Sequence, residues 1–148
     1  DMKLIVRAVM IVSVGLGSLA HANSNLVGKT FTHSWTINTL PETWSTPAYV
    51  TIFCDYETLV WNNVTDPKNV TSGVESYLVR TIDKDIVQVS WKESPETTNH
   101  ANVWTLNFRT NEIFGVLINV NKKINYSVAG KFQSKQGTTV AKPLTGCP

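Results

Sequence analysis

The sequence predicts an all-β fold, an eight-stranded antiparallel up-and-down barrel preceded by a signal peptide. The first observation is an alternation of apolar and polar residues with period two, which is typical of strands with one buried and one solvated face. The second is a series of turn signals at short intervals, which is typical of strands joined as hairpins. No segment sustains the period of 3.6 residues that an amphipathic helix requires.

The alternation is clearest in three segments, and each predicts a strand with an inward row of side chains. The three inward rows are Phe31, His33, Trp35 and Ile37; Val87, Val89, Trp91 and Glu93; and Asn102, Trp104, Leu106 and Phe108. Turn-forming residues predict longer loops at 40–47 and 62–72 and tight connections at 83–85, 94–96, 110–111 and 121–122. The predicted strands are 28–37, 48–54, 57–62, 74–82, 86–93, 101–108, 112–120 and 123–132.

Hairpin connections between consecutive strands predict a meander, and closing the meander into a barrel removes both open sheet edges. A barrel of eight strands has an interior that either fills with side chains or holds one small ligand. We expect the barrel to occupy residues 23–133 and a polar tail to follow at 134–148.

Residues 1–22 have the pattern of a cleavable signal peptide. Lys3 and Arg7 form a basic start, residues 8–19 are uncharged and mostly apolar, and residues 20–22 read Ala-His-Ala. The apolar run is too short for a stable membrane span. We expect cleavage after Ala22 and export to a periplasm or secretion, with an uncleaved N-terminal anchor as the alternative.

Two cysteines, Cys54 and Cys147, remain in the exported chain. An even pair in an oxidising compartment predicts a disulfide, which would pin the tail to the second strand. The alternative is a single reactive thiol, which no flanking histidine or cysteine motif supports.

Charge and motifs exclude several classes of function. The formal net charge is +2 and no basic run occurs, so we expect no nucleic-acid partner. Phosphate-binding Gly-rich loops, Gly-x-Ser-x-Gly and Cys-x-x-Cys are absent from the sequence, so no nucleotide, nucleophile or cofactor signature is present. Self-association of the chain stays open.

Glu93 and His33 are the candidate catalytic residues. Glu93 extends the inward row of Trp91, and a carboxylate among apolar groups is suited to proton transfer or to holding a polar ligand. The alternative is a strand end where Glu93 faces water. His33, between two inward aromatic residues, would donate to a ligand or pair with Glu93, unless it is a core histidine. His33, Glu93 and His100 match no metal-motif spacing, so no metal site is predicted.

Aromatic residues predict the wall of a ligand cavity. Trp35, Trp91 and Trp104 have inward parity in three strands, and such a wall is typical of small-molecule sites if the interior is open. Glu75 and Tyr77 share a face of the fourth strand and are the predicted polar contacts. A filled barrel with a purely structural tryptophan core is the alternative.

Four segments, Gly28–Thr32, Thr58–Trp61, Gly73–Tyr77 and Val87–Glu93, resemble the MoaF-like domain family. This resemblance runs from about residue 26 to 132 and implies a lipocalin-like (calycin) barrel with a central cavity. The family is similar to the phenolic acid decarboxylases, in which the Glu of Ser-Trp-x-Glu is catalytic; the matching residue here is Glu93.

The resemblance also shows where this chain departs from the decarboxylases. Their first strand holds the substrate carboxylate with two tyrosines, and the matching positions here are His33 and Trp35. Arg80 does not match their arginine, so the carboxylate anchor is missing. Three hypotheses follow: a small-molecule binding barrel, a lyase with Glu93 as general acid, and an assembly protein with a filled barrel.

Overall fold

The computed structural model describes residues 26–41, 47–96 and 98–148; the predicted signal peptide lies outside the described residues. Its eight strands are β1 (Lys29–Asn38), β2 (Ala48–Phe53), β3 (Thr58–Asn63), β4 (Thr71–Asp83), β5 (Ile86–Lys92), β6 (His100–Asn107), β7 (Glu112–Asn119) and β8 (Ile124–Gln136). Each strand pairs antiparallel with the next, and β8 pairs with β1 to close the barrel. The predicted all-β up-and-down barrel is therefore confirmed.

Two strands are longer than the sequence predicts. β4 begins at Thr71 because its first residues pair with the end of β3, where Thr71 lies opposite Asn63. β8 continues to Gln136 because it closes the barrel against the whole of β1, with Gln136 opposite Lys29. Pairing with a neighbouring strand thus makes both strands longer than the alternation in their own sequences predicts.

The two ends of the barrel differ in how they are filled. We call the end where β1 begins and β8 ends the closed end. A cluster of phenylalanine rings fills it, with Phe31 lying 5.2 Å from Phe53 and 5.4 Å from Phe132 between ring centroids. Phe108 packs edge to face on Phe132 at 5.4 Å. The opposite end, where β5 ends and β6 begins, we call the open end.

The C-terminal tail lies on the outer face of β2 and β3. The predicted Cys54–Cys147 disulfide is present and closes a separation of 93 residues. Nearer the open end, the Asn62 side chain donates to the Thr145 carbonyl (3.0 Å) and accepts from the Thr145 amide (2.8 Å). Because disulfides persist in oxidising compartments, this bond is typical of exported proteins.

The tail creates a second, smaller apolar layer outside the barrel. Leu59 and Trp61 point inward, so Val60 between them points outward, and Ile52 lies opposite Val60 on β2. Both outward residues are nevertheless 0% exposed. Their burial follows from the tail, which is anchored to Cys54 and Asn62 on this same face.

Among the residues that the structure describes, no helix is long and apolar enough to cross a membrane.

Candidate functional site

A cavity of about 40 Å³ lies in the open half of the barrel. Because one water needs roughly 10–15 Å³ of such space, the cavity holds about three water molecules. Its lining residues are Trp35, Tyr49, Trp61, Asn63, Thr71, Trp91, Glu93, Thr98, His100, Asn102, Trp104 and Leu117.

The cavity continues outward into a surface groove of about 340 Å³ at the open end. Trp61, Thr71 and Thr98 line both the cavity and the groove, and Ser72 and Glu96 line the groove alone. A small group can therefore occupy the cavity while the rest of its molecule lies in the groove.

Glu93 is held in the cavity wall by donors from the β5–β6 connection and from β6. Its Oε1 accepts a hydrogen bond from Asn102 Nδ2 at 2.9 Å, and its Oε2 accepts one from the Thr98 hydroxyl. His100 Nδ1 lies 3.4 Å from the same Oε2. Only 8% of Glu93 is exposed, so this carboxylate is buried and oriented as a hydrogen-bond acceptor.

A second layer of hydrogen bonds orients His100. Asn119 Oδ1 accepts from the Lys122 amide at 2.9 Å, which directs Asn119 Nδ2 toward His100 Nε2 at 3.2 Å. With Nε2 on the side of the Asn119 amide, Nδ1 is the ring nitrogen that lies toward Glu93 Oε2.

Tryptophan rings line the same cavity as this carboxylate. Trp91 and Trp104 meet edge to face at 4.3 Å, and Trp35 meets Trp104 in the same way at 5.5 Å. The indole N–H groups of Trp91 and Trp104 are buried and have no hydrogen-bond partner among the described residues. An unsatisfied buried donor costs about 1–3 kcal/mol, so both groups favour an acceptor from a ligand or water.

Tyr49 adds a hydroxyl to the cavity. Burial, and after it the nearby charge of Glu93, raises the pKa of Tyr49 to about 12. Its phenol therefore keeps its proton at neutral pH and is available as a donor.

Two tryptophans of the site lie directly opposite glycines on the neighbouring strand. Trp104 pairs with Gly115, and Trp61 pairs with Gly73. A Cβ at Gly115 would lie 2.7 Å from Trp104 Cδ1, and one at Gly73 would lie 2.6 Å from Trp61 Nε1. Each glycine thus leaves the space that its tryptophan occupies.

Replacing Gly115 with alanine is therefore expected to displace Trp104 and to destabilise the protein by about 1–3 kcal/mol, the range for overpacking. The added Cβ also lies 3.2 Å from the Val103 carbonyl, which is backbone and cannot move freely. Chemical denaturation and near-ultraviolet circular dichroism measure the two effects. Gly146→Ala in the tail is the space control, since the nearest atoms to its Cβ position are Val140 Cγ2 at 3.6 Å and the Thr138 carbonyl oxygen at 4.0 Å, both ordinary contact distances. Unchanged stability and an unchanged tryptophan signal in Gly115→Ala would contradict this account.

His33 lies below the cavity, against its floor. Its ring stacks on Tyr49 at 5.3 Å and meets Trp104 edge-on at 4.7 Å. Burial lowers the pKa of His33 to about 3, and its Nε2 has no hydrogen-bond partner in the described part of the chain. Glu93 pairs with His100 instead, so the structure does not bring His33 and Glu93 together as a pair.

Within residues 26–41, 47–96 and 98–148, no three His, Cys, Asp or Glu side chains converge in a way that could hold a metal ion.

The two predicted polar contacts of β4 lie outside the cavity lining. Glu75 is buried and accepts hydrogen bonds from Trp61 Nε1 (3.3 Å) and the Ser94 amide (3.2 Å), so it positions the tryptophan at the mouth. Tyr77 packs on Phe53 of the closed end at 5.1 Å and donates to the Asp55 carbonyl. The structure therefore brings Trp35, Trp91, Glu93 and Trp104 together at the cavity, but not Tyr77.

Sequence reasoning did not assign eight of the twelve lining residues to ligand contact, among them the polar residues Tyr49, Thr98, His100 and Asn102. The inward row of β6 contained a signal for two of them, because Asn102 and His100 precede Trp104 by two and four residues. Thr98 lies in a connection and Tyr49 in a strand without clear alternation, so neither carried such a signal.

Comparisons with known proteins show the fold of the chain. No family model matches it, and no curated protein matches it. A crystal structure from Burkholderia vietnamiensis, described as a putative beta-lactamase, superposes with a TM-score of 0.59 at 12% sequence identity. The match covers 74% of this chain and 94% of that chain. At this identity the likeness shows a shared fold alone.

Proposed function

We propose that this protein is an exported, MoaF-like barrel that binds a small, partly apolar molecule at its open end. The observation that carries the proposal is the cavity in the open half of the barrel, beside which the buried indole N–H groups of Trp91 and Trp104 have no acceptor among the described residues. A core that had only a structural role would gain stability by pairing or replacing these donors.

The polar groups of the cavity define what such a ligand presents. Trp91 and Trp104 offer donors, and the Glu93 carboxylate offers an acceptor. Apolar ring surface separates them, as in most small-molecule sites. The ligand therefore carries a polar end that enters the cavity, and its remaining atoms lie in the groove beside Trp61.

Native mass spectrometry of the protein purified from its own host tests the proposal. We expect a stoichiometric small-molecule adduct that is lost on unfolding. Trp91→Phe keeps an aromatic ring but removes one N–H donor, and this variant should bind the released molecule about three- to tenfold more weakly. Tyr77→Phe, which removes one donor outside the cavity, should bind it like the wild type.

Two results would count against the binding proposal. The first is the absence of any adduct together with a tryptophan fluorescence that does not change when small aromatic or amine probes are added. This result would favour a filled barrel with an assembly role. Release of carbon dioxide from a phenolic acid, abolished in Glu93→Gln, would instead establish the lyase hypothesis.

A further inference from the structure

The lining of the cavity also indicates which chemical class it recognises. We propose that the group bound in the cavity is a small organic cation, an alkylated ammonium held between tryptophan rings and the Glu93 carboxylate. This inference rests on the proposed binding function of the same cavity and names the class of its ligand.

Aromatic rings dominate the cavity wall. Five of the lining residues are aromatic: Trp35, Tyr49, Trp61, Trp91 and Trp104. The faces of such rings attract organic cations, tryptophan most strongly, and cages of this composition are used to bind alkylated ammonium groups. Because Trp35 and Trp91 each meet Trp104 edge to face, the rings of the wall differ in orientation.

The Asp, Glu, Lys and Arg side chains that line the cavity and the groove are all acidic. Among the described residues of the lining, Glu93 is the only carboxylate and there is no lysine or arginine. The groove adds a second carboxylate, Glu96. Four lysines at this end are exposed and lie outside both linings: Lys68, Lys92, Lys122 and Lys123. An anion would lose its hydration beside a buried carboxylate without a counter-charge, whereas a cation gains a partner.

The size of the cavity fits a cationic head group. Space for about three water molecules matches a nitrogen with its attached methyl groups and is too small for a large ring system. An ether or hydroxyl oxygen next to such a nitrogen would supply the acceptor that the Trp91 and Trp104 N–H groups lack.

Choline and its neutral isostere 3,3-dimethylbutan-1-ol provide a matched pair of probes, since they share shape and hydroxyl and differ in charge. Calorimetry and tryptophan fluorescence on the full-length exported protein should show choline binding at least about tenfold more tightly than the isostere. In Glu93→Gln this ratio should fall to about threefold or less. The matched control Glu112→Gln, on the first residue of β7 at the closed end, should keep the wild-type ratio.

The outcomes separate this inference from the proposed function. Equal or tighter binding of the isostere by the wild type overturns the cation inference and leaves small-molecule binding intact. Binding of neither probe up to about 10 mM, with an adduct present in native mass spectra, also overturns it. Absence of both probe binding and adduct overturns the two proposals together. The wild-type comparison decides the question even if Glu93→Gln does not fold.

Discussion

Replacing Cys54 and Cys147 with serine, or reducing their disulfide, is expected to lower the free energy of unfolding by about 4–5 kcal/mol. The bond joins residues 93 positions apart, so it removes a large part of the conformational freedom of the unfolded chain. It also anchors the tail that covers Ile52 and Val60. For a domain of this size such a loss is a large fraction of the total stability.

Guanidinium denaturation of oxidised and reduced wild-type protein, which share one sequence, measures this loss without a substitution. The midpoint should move to lower denaturant on reduction, and the double serine variant should reproduce the reduced midpoint. Coincident midpoints for the oxidised and reduced forms would show that the tail contributes nothing through its covalent bond.

Acidification from pH 7 to pH 5 is expected to cost about 2 kcal/mol of stability through His33 alone. Burial lowers the pKa of His33 in the folded protein to about 3, whereas the unfolded chain has a value near 6.5. Below pH 6.5 the unfolded state therefore binds a proton that the folded state excludes. The stability that neutral His33 contributes is therefore fully present above its unfolded-state pKa. This contribution decreases as the pH falls from that value toward the folded-state pKa.

His33→Phe keeps a ring in the same space and cannot titrate. The variant should lose this pH dependence between pH 7 and 5, and at pH 5 it should be more stable than the wild type. Thermal or chemical unfolding at several pH values measures the difference. The depressed carboxyl pKa values of Asp55 and Asp66 affect both proteins equally and act at lower pH. Parallel pH profiles for wild type and variant would show that His33 is not buried as a neutral group.

Alternation along the strands predicted most of the side chains that enter the barrel, but it wrongly placed Ile37 inward: the pairing of β1 with β8 shifts register between Trp35 and Ile37, and Ile37 is 72% exposed. Trp35, Trp91, Glu93 and Trp104 all lie inside because a period of two assigns every second residue to one face. It does not give the height of a residue along the barrel, which depends on the stagger of tilted strands. Tyr77 lies opposite Trp91 in the β4–β5 ladder, yet its hydroxyl bonds Asp55 in the turn that follows β2.

The partners of the site residues depend on the same stagger. Glu93 pairs with His100 because the connection between β5 and β6 places the Glu93 amide against the His100 carbonyl at 2.8 Å. The register between β6 and β7 likewise determines that a glycine, Gly115, lies opposite Trp104. Neither the Glu93–His100 contact nor the Trp104–Gly115 pairing can be predicted from local sequence, because each joins residues on different strands.

The tail that crosses the outside of the barrel also covers apolar side chains on the outer surface of the sheet. Val60 lies between Ile52 on one side and Val74 on the other in consecutive ladders, and Val74 is already 49% exposed. A chain clipped before Cys147 would therefore present a continuous apolar strip across three strands. Such strips promote self-association, so the tail favours solubility, and we expect a proteolytically trimmed chain to aggregate more readily than the intact one.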